Sequence, residues 1–388
     1  MSKGVLEGVK VLDLSRVLAG PYCGAFLADL GADVVKVEAP NGDDARHLGP
    51  FKGEESVYFA ELNHGKRSVV LNFKDPKDHE RFMKLVEHAD VVLENFRPGV
   101  TKRLGVDAES VHKTNPRIIY ASISGFGQEG PFRNRPAYDL IVQAMSGIMA
   151  ATGPEGGKPT RVGESLGDVV SGIFAGWAIC AALYERERTG VGRTVDVSMF
   201  NSLLALQVTN LSLLLADGKL PGRIGSRHPV SVPFDTYPAK DGLVALAVAN
   251  DRIWARLADL MGRPDLGAND AYLGDMNRAN KRQELTQLVS GWTQTMTVAE
   301  LLRKTEEAGV PAAPIWDLKE ALESEHVVAR HSLGHFTHPE LGKMPYLRFP
   351  ADFGCGNLEV SSESSPRLGE QTAGAVAAEW GRSANDDK

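Results

Sequence analysis

Along the first half of the chain, short and nearly continuous apolar runs alternate with longer stretches of helical period. Residues 9–14 (VKVLDL), 33–38 (DVVKVE), 90–94 (DVVLE) and 117–124 (RIIYASIS) have the composition of strands covered on both faces. Shorter runs of the same kind lie at 68–72 and 194–198. Between them, residues 21–30 begin with a proline and stop before Gly31, which predicts a helix. A second helix is predicted after Asp75-Pro76, with Phe82, Leu85, Val86 and Ala89 on one face. Strands alternating with helices predict a parallel α/β sheet. Beyond Gly163-Glu164-Ser165-Leu166-Gly167-Asp168, the residues Val169, Ile173, Trp177 and Cys180 recur at i, i+4, i+8 and i+11. That spacing predicts one face of a helix running on to Leu183.

A helix from Phe200 to about Leu215 follows, and then a stretch rich in Gly, Pro, Arg and Ser at 217–233 that reads as a linker. A smaller unit comes next. It has a strand at 243–248, a helix opened by Asn250-Asp251 and closed at Gly262, and a further element at 277–292. Thr297-Val298-Ala299-Glu300 is a capping-box pattern for a helix ending at Gly309, and another helix is expected over 318–330. The predicted organisation is a large domain over 1–200, a linker over 201–224, a small domain over 225–325 and a segment over 326–388 that returns to the large domain. The tail holds short extended pieces, with loop-like ends at 361–365 and 385–388.

Composition narrows the function. With 50 acidic against 43 basic residues and a net charge of -7, the chain lacks the positive balance that phosphate neutralisation along a nucleic acid requires. Three scattered cysteines, Cys23, Cys180 and Cys355, form neither a disulfide framework nor a zinc pattern, which predicts a reducing, cytoplasmic setting. The first ten residues do not resemble a signal peptide, and no run is expected to supply the ~20 apolar residues of a membrane span.

Several motifs carry candidate chemistry. Asp168, where a loop hands over to a helix, is a helix cap or a nucleophile; as an isolated fragment the cap is favoured. The positive end of the helix dipole is expected to stabilise its ionised form. Gly125-Phe126-Gly127-Gln128-Glu129-Gly130 spells G-x-G-x-x-G after a strand, but Pro131 follows where a helix should open, so a turn is predicted and not a dinucleotide site. His326, His331, His335 and His338 lie in a run broken by Gly334 and Pro339, a solvated surface segment and not a metal site. Cys23, among small residues, is expected to be a packed thiol. The loop Glu94-Asn95-Phe96-Arg97-Pro98-Gly99, with Lys102 and Arg103 after it, offers an amide, a ring and three cations beyond a strand end. Lys66, Arg67 and Lys74 add charge beside another strand. Ligands of open α/β sheets bind at such strand ends, and arginine suits phosphate, so a phosphate-bearing ligand is predicted.

These residues resemble the class III CoA-transferases, the CaiB/BaiF family of formyl-CoA and carnitine CoA-transferase type. The likeness runs through VLDLSRVLAGP at 11–21, LGADVVKVE at 30–38, NHGKRSVVLNFK at 63–74, VLENFRPG at 92–99, ASISGFGQEGP at 121–131, GD at 167–168 and RTGVGRTVDVSM at 188–199. It implies a Rossmann-like parallel sheet in the large domain, a smaller α+β domain, and an interlaced homodimer of ring-like chains. It further implies that Asp168 attacks an acyl-CoA thioester, forming a mixed anhydride and then an aspartyl-CoA thioester. Arg16, Val17, Leu18, Ala19, Leu71, Asn72 and Lys74 would contact the adenine and phosphates of CoA. Asn95, Phe96, Arg97 and Arg103 would line the pantetheine and diphosphate path, with Tyr138 near the acyl group. CoA and acyl-CoA are then substrates, with no tightly bound cofactor, no metal, no nucleic acid and no membrane partner.

Two departures from formyl-CoA transferase set expectations about the acceptor. Leu18 replaces a glutamine, and Ala247-Val248-Ala249-Asn250-Asp251 stands where a glycine-rich loop would fold over the aspartate. Oxalate is therefore not the expected acceptor; a small dicarboxylate or hydroxy acid is, with succinyl-CoA as donor. Arg16, Arg97, Arg223 and Arg227 are candidates to hold a second carboxylate. The competing reading is an α-methylacyl-CoA racemase, which pairs a histidine with the aspartate. The matching place here is Ala137-Tyr138-Asp139, without histidine.

Overall fold

The structure, a computed structural model, describes residues 4–353 and 363–382. Cys355, residues 361–362 and the polar end at 385–388 lie outside the described residues. The chain forms two compact units, one from residues 1–148, 161–212 and 326–388, the other from 149–160 and 213–325.

The first unit is organised on a parallel sheet of six strands: β1 Lys10–Asp13, β2 Asp33–Glu38, β3 Lys66–Val70, β4 Val91–Glu94, β5 Ile119–Ser124 and β6 Arg193–Ser198. Their order is β3-β2-β1-β4-β5-β6, all parallel. The chain moves outward from β1 to β3, then returns to the other side of β1 at β4. The switch point therefore lies between the carboxyl ends of β1 and β4, where open sheets of this kind place their ligands. Alternate strand residues feed two cores. Val11, Val34, Leu93, Ile119 and Ile123 face one layer, whose helices are α1 (Ala19–Asp29) and α5 (Leu166–Thr189). Leu12, Val35, Val69, Val92 and Tyr120 face the other, which contains α3 (Pro76–Val86) and the C-terminal helix Ala373–Trp380.

The predicted strands all form, with ends displaced by up to two residues; β3 starts at Lys66 because its pairing with β2 begins there. The helix expected over 200–215 divides into Met199–Ala205 and Val208–Asp217, and that over 318–330 into Leu318–Glu323 and Glu325–Ala329. Pattern reading missed α2 (Val57–Asn63), whose N-cap is Ser56, and the C-terminal helix. It resolved the tail only as extended pieces; there the strands Leu333–His338 and Gly342–Leu347 make an antiparallel hairpin.

Two expectations about α5 fail together. The periodic set Val169, Ile173, Trp177 and Cys180 is not a buried face: Cys180 packs partly buried against the core, but Ile173 is 46% and Trp177 70% exposed. The face turned inward is Gly167, Ser171, Gly172, Ala175, Ile179, Ala182 and Leu183. Small side chains win because α1 passes so close that a Cβ on Gly172 would stand 2.7 Å from the Ala19 carbonyl oxygen. At 24 residues and with this composition, α5 is also long and apolar enough to cross a membrane, contrary to the sequence reading. In the fold it packs on α1 and the sheet, and its inward residues belong to the main core.

The return segment locks the outer strands. Gln371 and Ser68 exchange backbone and side-chain hydrogen bonds (Gln371 N to Ser68 O, 2.9 Å; Ser68 N to Gln371 Oε1, 2.8 Å). Trp380 Nε1 donates to Asp33 at 2.6 Å, and Lys10 Nζ to the Trp380 carbonyl at 2.8 Å. The second unit carries an antiparallel sheet of Phe234–Pro238, Leu243–Ala247 and Ala312–Pro314, with Leu243–Ala247 central. Trp254 and Leu257 of the helix Asp251–Leu260 fill its core with Tyr237, Val244 and Leu246. The Thr297–Glu300 capping box opens Val298–Ala308 as expected.

Alanine at a helical glycine gains about 1 kcal/mol from propensity, whereas forcing atoms into a packed core costs about 1–3 kcal/mol. Gly172→Ala is therefore expected to lower the urea midpoint. Gly176→Ala, whose Cβ would meet nothing closer than Cys23 Sγ at 3.8 Å, should raise it.

Candidate active site

The carboxyl ends of the central strands stand over a set of buried charges. Lys36 on β2 and Lys66 on β3 are fully buried, and each has an acidic partner: Lys36 pairs with Asp43 at 2.8 Å, Lys66 with Asp13 at 2.9 Å. Burial by itself would raise the Asp13 carboxyl, but Lys66 and Lys36 bring it below its ordinary range. These charges shape the loop after β1. Lys36 Nζ donates to the Ser15 carbonyl at 2.9 Å, Ser15 N to Asp13 Oδ1 at 3.0 Å, and Val17 N to Asp43 Oδ1 at 3.0 Å. Val17 is thereby held at φ 66°, a left-handed conformation that a β-branched residue adopts only under constraint.

Across the switch point, Asn95 clips this loop to the one after β4. Its Oδ1 accepts from Arg16 N at 2.8 Å and its Nδ2 donates to the Arg16 carbonyl at 2.8 Å. Glu94, which burial pushes up to about 7, accepts from Phe96 N at 2.7 Å. The Arg16 guanidinium lies 5.3 Å from the centre of the Phe96 ring and pairs with Asp44 at 3.1 Å. A cleft of about 190 Å³ opens here, lined by Arg16, Leu71, Asn72, Lys74 and Phe96 together with Pro40 and other residues of the same loops.

Five predicted ligand contacts thus meet in one cleft, with Asn95 bracing it. Val17, Leu18 and Ala19 do not line it: Leu18 stands at the start of α1, and Ala19 is buried against Gly172 of α5. Arg97 and Arg103 are exposed and also outside the lining. Lys66 and Arg67 are not free for phosphate, since Lys66 is buried on Asp13 and Arg67 pairs with Asp33 and Glu379. In the second unit, Arg223 Nε donates to the Gly157 carbonyl at 2.8 Å and Arg227 pairs with Glu155 at 2.8 Å. There too, Asn250 caps the helix at Asp251 by accepting from Ile253 N. The G-x-G-x-x-G segment is a turn, with Gly127 and Gly130 both at φ 86°. Among the described residues, no three His, Cys, Asp or Glu side chains converge as metal ligands.

Asp168 lies in the first turn of α5 and does not cap it. Ser165, at the N-cap, makes no side-chain cap bond either; the amide of Gly167 donates instead to Asp139 Oδ1, at 2.8 Å, on α4 (Asp139–Met145). The expected dipole stabilisation is outweighed: burial, and then the charge of Asp139, push the Asp168 carboxyl up to about 7. The charge of Asp168 also reaches Tyr58 on α2. Burial first, then Asp168 and Glu164, push its phenol upward, so it stays a proton donor. Tyr138 precedes Asp139 and is 78% exposed. Asp139 and Tyr58 were not singled out from the sequence: α2 was not recognised, and an acidic residue opening a helix has the ordinary signature of a first turn.

The sequence profile of CoA-transferase family III matches residues 6–372. The chain is 45% identical to the acetyl-CoA:oxalate CoA-transferase of Acetobacter aceti, over 85% of this chain and 86% of that protein. It is 40% identical to the succinyl-CoA:mesaconate CoA-transferase of Haloarcula hispanica, over 87% and 86%. Among solved structures, a CaiB/BaiF family protein from Brucella suis superposes with a TM-score of 0.85 at 36% identity, covering 98% of this chain and 100% of that one.

A carboxyl group whose value is raised is neutral below that value and charged above it. The carbon-13 signal of the Asp168 side chain is expected to titrate with a midpoint near 7. A midpoint near 4, the ordinary aspartate value, would show that neither burial nor Asp139 acts on it.

Proposed function

The chain belongs to CoA-transferase family III, and we propose that it moves CoA from succinyl-CoA to a small carboxylic or dicarboxylic acid with Asp168 as the covalent nucleophile. The observation that carries this is a carboxyl group at the head of α5, relieved of capping by Asp139 and raised to about 7. Such a group is substantially ionised at neutral pH and more basic than an ordinary aspartate, hence a stronger nucleophile toward a thioester.

In this reading a carboxylate oxygen of Asp168 adds to the thioester carbonyl carbon, the C–S bond breaks, and CoA leaves as thiolate. The thiolate attacks the aspartyl carbonyl of the resulting anhydride, releases succinate, and leaves an aspartyl-CoA thioester. The acceptor carboxylate then attacks that thioester, and the returning thiolate takes the acceptor's acyl group, restoring Asp168. The protonated phenol of Tyr58 is a hydrogen-bond donor on the side of the reacting carboxyl. Asp168 is half-buried, which limits the access of water to the activated acyl group. The cleft of Arg16, Leu71, Asn72, Lys74 and Phe96, braced by Asn95, takes the adenine and phosphate end of CoA. Arg97 and Arg103 reach phosphates from the rim, the backbone of Val17, Leu18 and Ala19 carries the loop edge, and Tyr138 borders the acyl group.

The succinyl donor and the dicarboxylate acceptor are supported by the mesaconate enzyme. A relative named for oxalate is 45% identical, so oxalate belongs in the acceptor panel as well. We further infer a homodimer of the interlaced kind, because Ile173, Trp177 and Tyr184 leave an apolar edge of α5 open to solvent. The racemase reading has no such support, since Ala137-Tyr138-Asp139 offers no histidine.

Intact-protein mass after incubation with succinyl-CoA, followed by hydroxylamine or borohydride treatment, tests the assignment. A modification localised to the peptide carrying Asp168 and absent from Asp168→Ala is expected, with CoA transfer to the acceptor panel lowered at least 1,000-fold in the variant, on the order of removing other covalent nucleophiles. No adduct with any acyl-CoA, together with deuterium exchange at the acyl α-carbon, would replace the transferase mechanism by the racemase one.

A further inference from the structure

Asp139 and Gln143 stand one helical turn apart on α4, on the same face, and both are buried at 7% and 0% exposure. Together they hold three points of the backbone leading into α5. Val162 N donates to Gln143 Oε1 at 2.9 Å, Gln143 Nε2 donates to the Glu164 carbonyl at 3.2 Å, and Gly167 N donates to Asp139 Oδ1 at 2.8 Å. The two side chains are tied to each other, Gln143 Nε2 to Asp139 Oδ2, at 2.7 Å. The approach is close: a Cβ on Gly167 would meet Val142 Cγ2 at 2.7 Å and Asp139 Oδ1 at 3.2 Å.

We propose that Asp139 and Gln143 are positioning residues, a clamp on residues 162–167 that fixes where the Asp168 carboxylate stands. This inference rests on the reading of Asp168 as nucleophile. The clamp does what a cap at Ser165 would do for the helix, but from a neighbouring element, so the nucleophile is spared that bond. It adds an electrostatic effect that a serine cap would lack, since a second carboxylate faces the first. The charge of Asp168 acts in turn on the Tyr58 phenol of α2, which Glu164 of the loop, Glu61 and Asp43 also reach. Asp139 is the one whose charge acts on Asp168 after burial. A misplacement of about 1 Å at a reacting group costs about 100-fold in rate, so loss of the clamp is expected to fall on turnover.

The experiment uses the full-length enzyme with Asp139→Asn and Gln143→Met. Asp139→Asn keeps an oxygen for the Gly167 amide but removes the charge, and the midpoint of the acid limb of kcat is expected to fall by roughly one pH unit. Gln143→Met keeps the charge and loses the loop bonds, and kcat is expected to fall at least tenfold. KM for acyl-CoA should stay within twofold, because neither residue lines the cleft at Arg16 and Phe96. Amide hydrogen exchange is the readout that needs no activity: exchange at Val162 and Gly167 is expected to rise at least tenfold in Gln143→Met. Unchanged exchange there overturns the clamp whatever the kinetics. Unchanged kcat with an unmoved midpoint overturns its role in positioning. Faster exchange in Gln143→Met, combined with a wild-type enzyme that never acylates Asp168, would sink the nucleophile reading and, with it, the positioning role, while leaving the clamp as a purely structural device.

Discussion

The buried pairing of Lys36 and Lys66 with Asp43 and Asp13 is the constraint on which the cleft at the sheet's switch point depends. Each of these charges would be costly to bury alone, and breaking such a pair costs about 3–5 kcal/mol because a charge is left stranded. The pairs are also what bend the loop after β1, through the Ser15 carbonyl and the Val17 amide. Two basic residues that from the sequence look like phosphate ligands, Lys66 and Arg67, are instead spent on framework. The cations left for a ligand are those on the outer loops, Arg16 and Lys74 foremost.

A second dependence links the two helices of the inner layer. The closeness of α1 and α5 is set by glycine at 172, and Ile173 and Trp177 on the same helix are left outward. The head of the same helix is set by α4, through a carboxylate whose charge also acts on Asp168. Asp139 thus touches both the backbone at the head of α5 and, after burial, the basicity of Asp168, and the capping bond is made from a neighbouring helix.

Much of the fold was legible because buried parallel strands have a plain sequence signature. VKVLDL, DVVKVE, DVVLE and RIIYASIS all became strands of the main sheet. The capping box at Thr297 was legible for the same reason, being local chemistry. What was not legible depends on partners distant in sequence. The inward face of α5 could not be read from hydrophobic period, since the tightest packing uses its smallest residues. Asp168 was found through its loop-to-helix position and a family likeness, but its bond-free state follows from Asp139, 29 positions earlier in numbering and invisible to spacing rules. Of the predicted contacts, Arg16, Leu71, Asn72, Lys74 and Phe96 converge, while Ala19 went into the core.

The bonds between Ser68 and Gln371 have a consequence for the making of the protein. Their partners are 303 positions apart, and a ribosome adding about 5–20 residues per second takes roughly 15–60 s to travel from one to the other. Through that interval the emerging sheet has β3 at its rim without the segment that will close it, and Asp33 waits for Trp380. The second unit, made of residues that emerge in between, can be complete before the first one is. A message cut short just beyond the second unit would therefore yield a chain with a finished small unit and an open-edged sheet, the form that chaperones and proteases recognise.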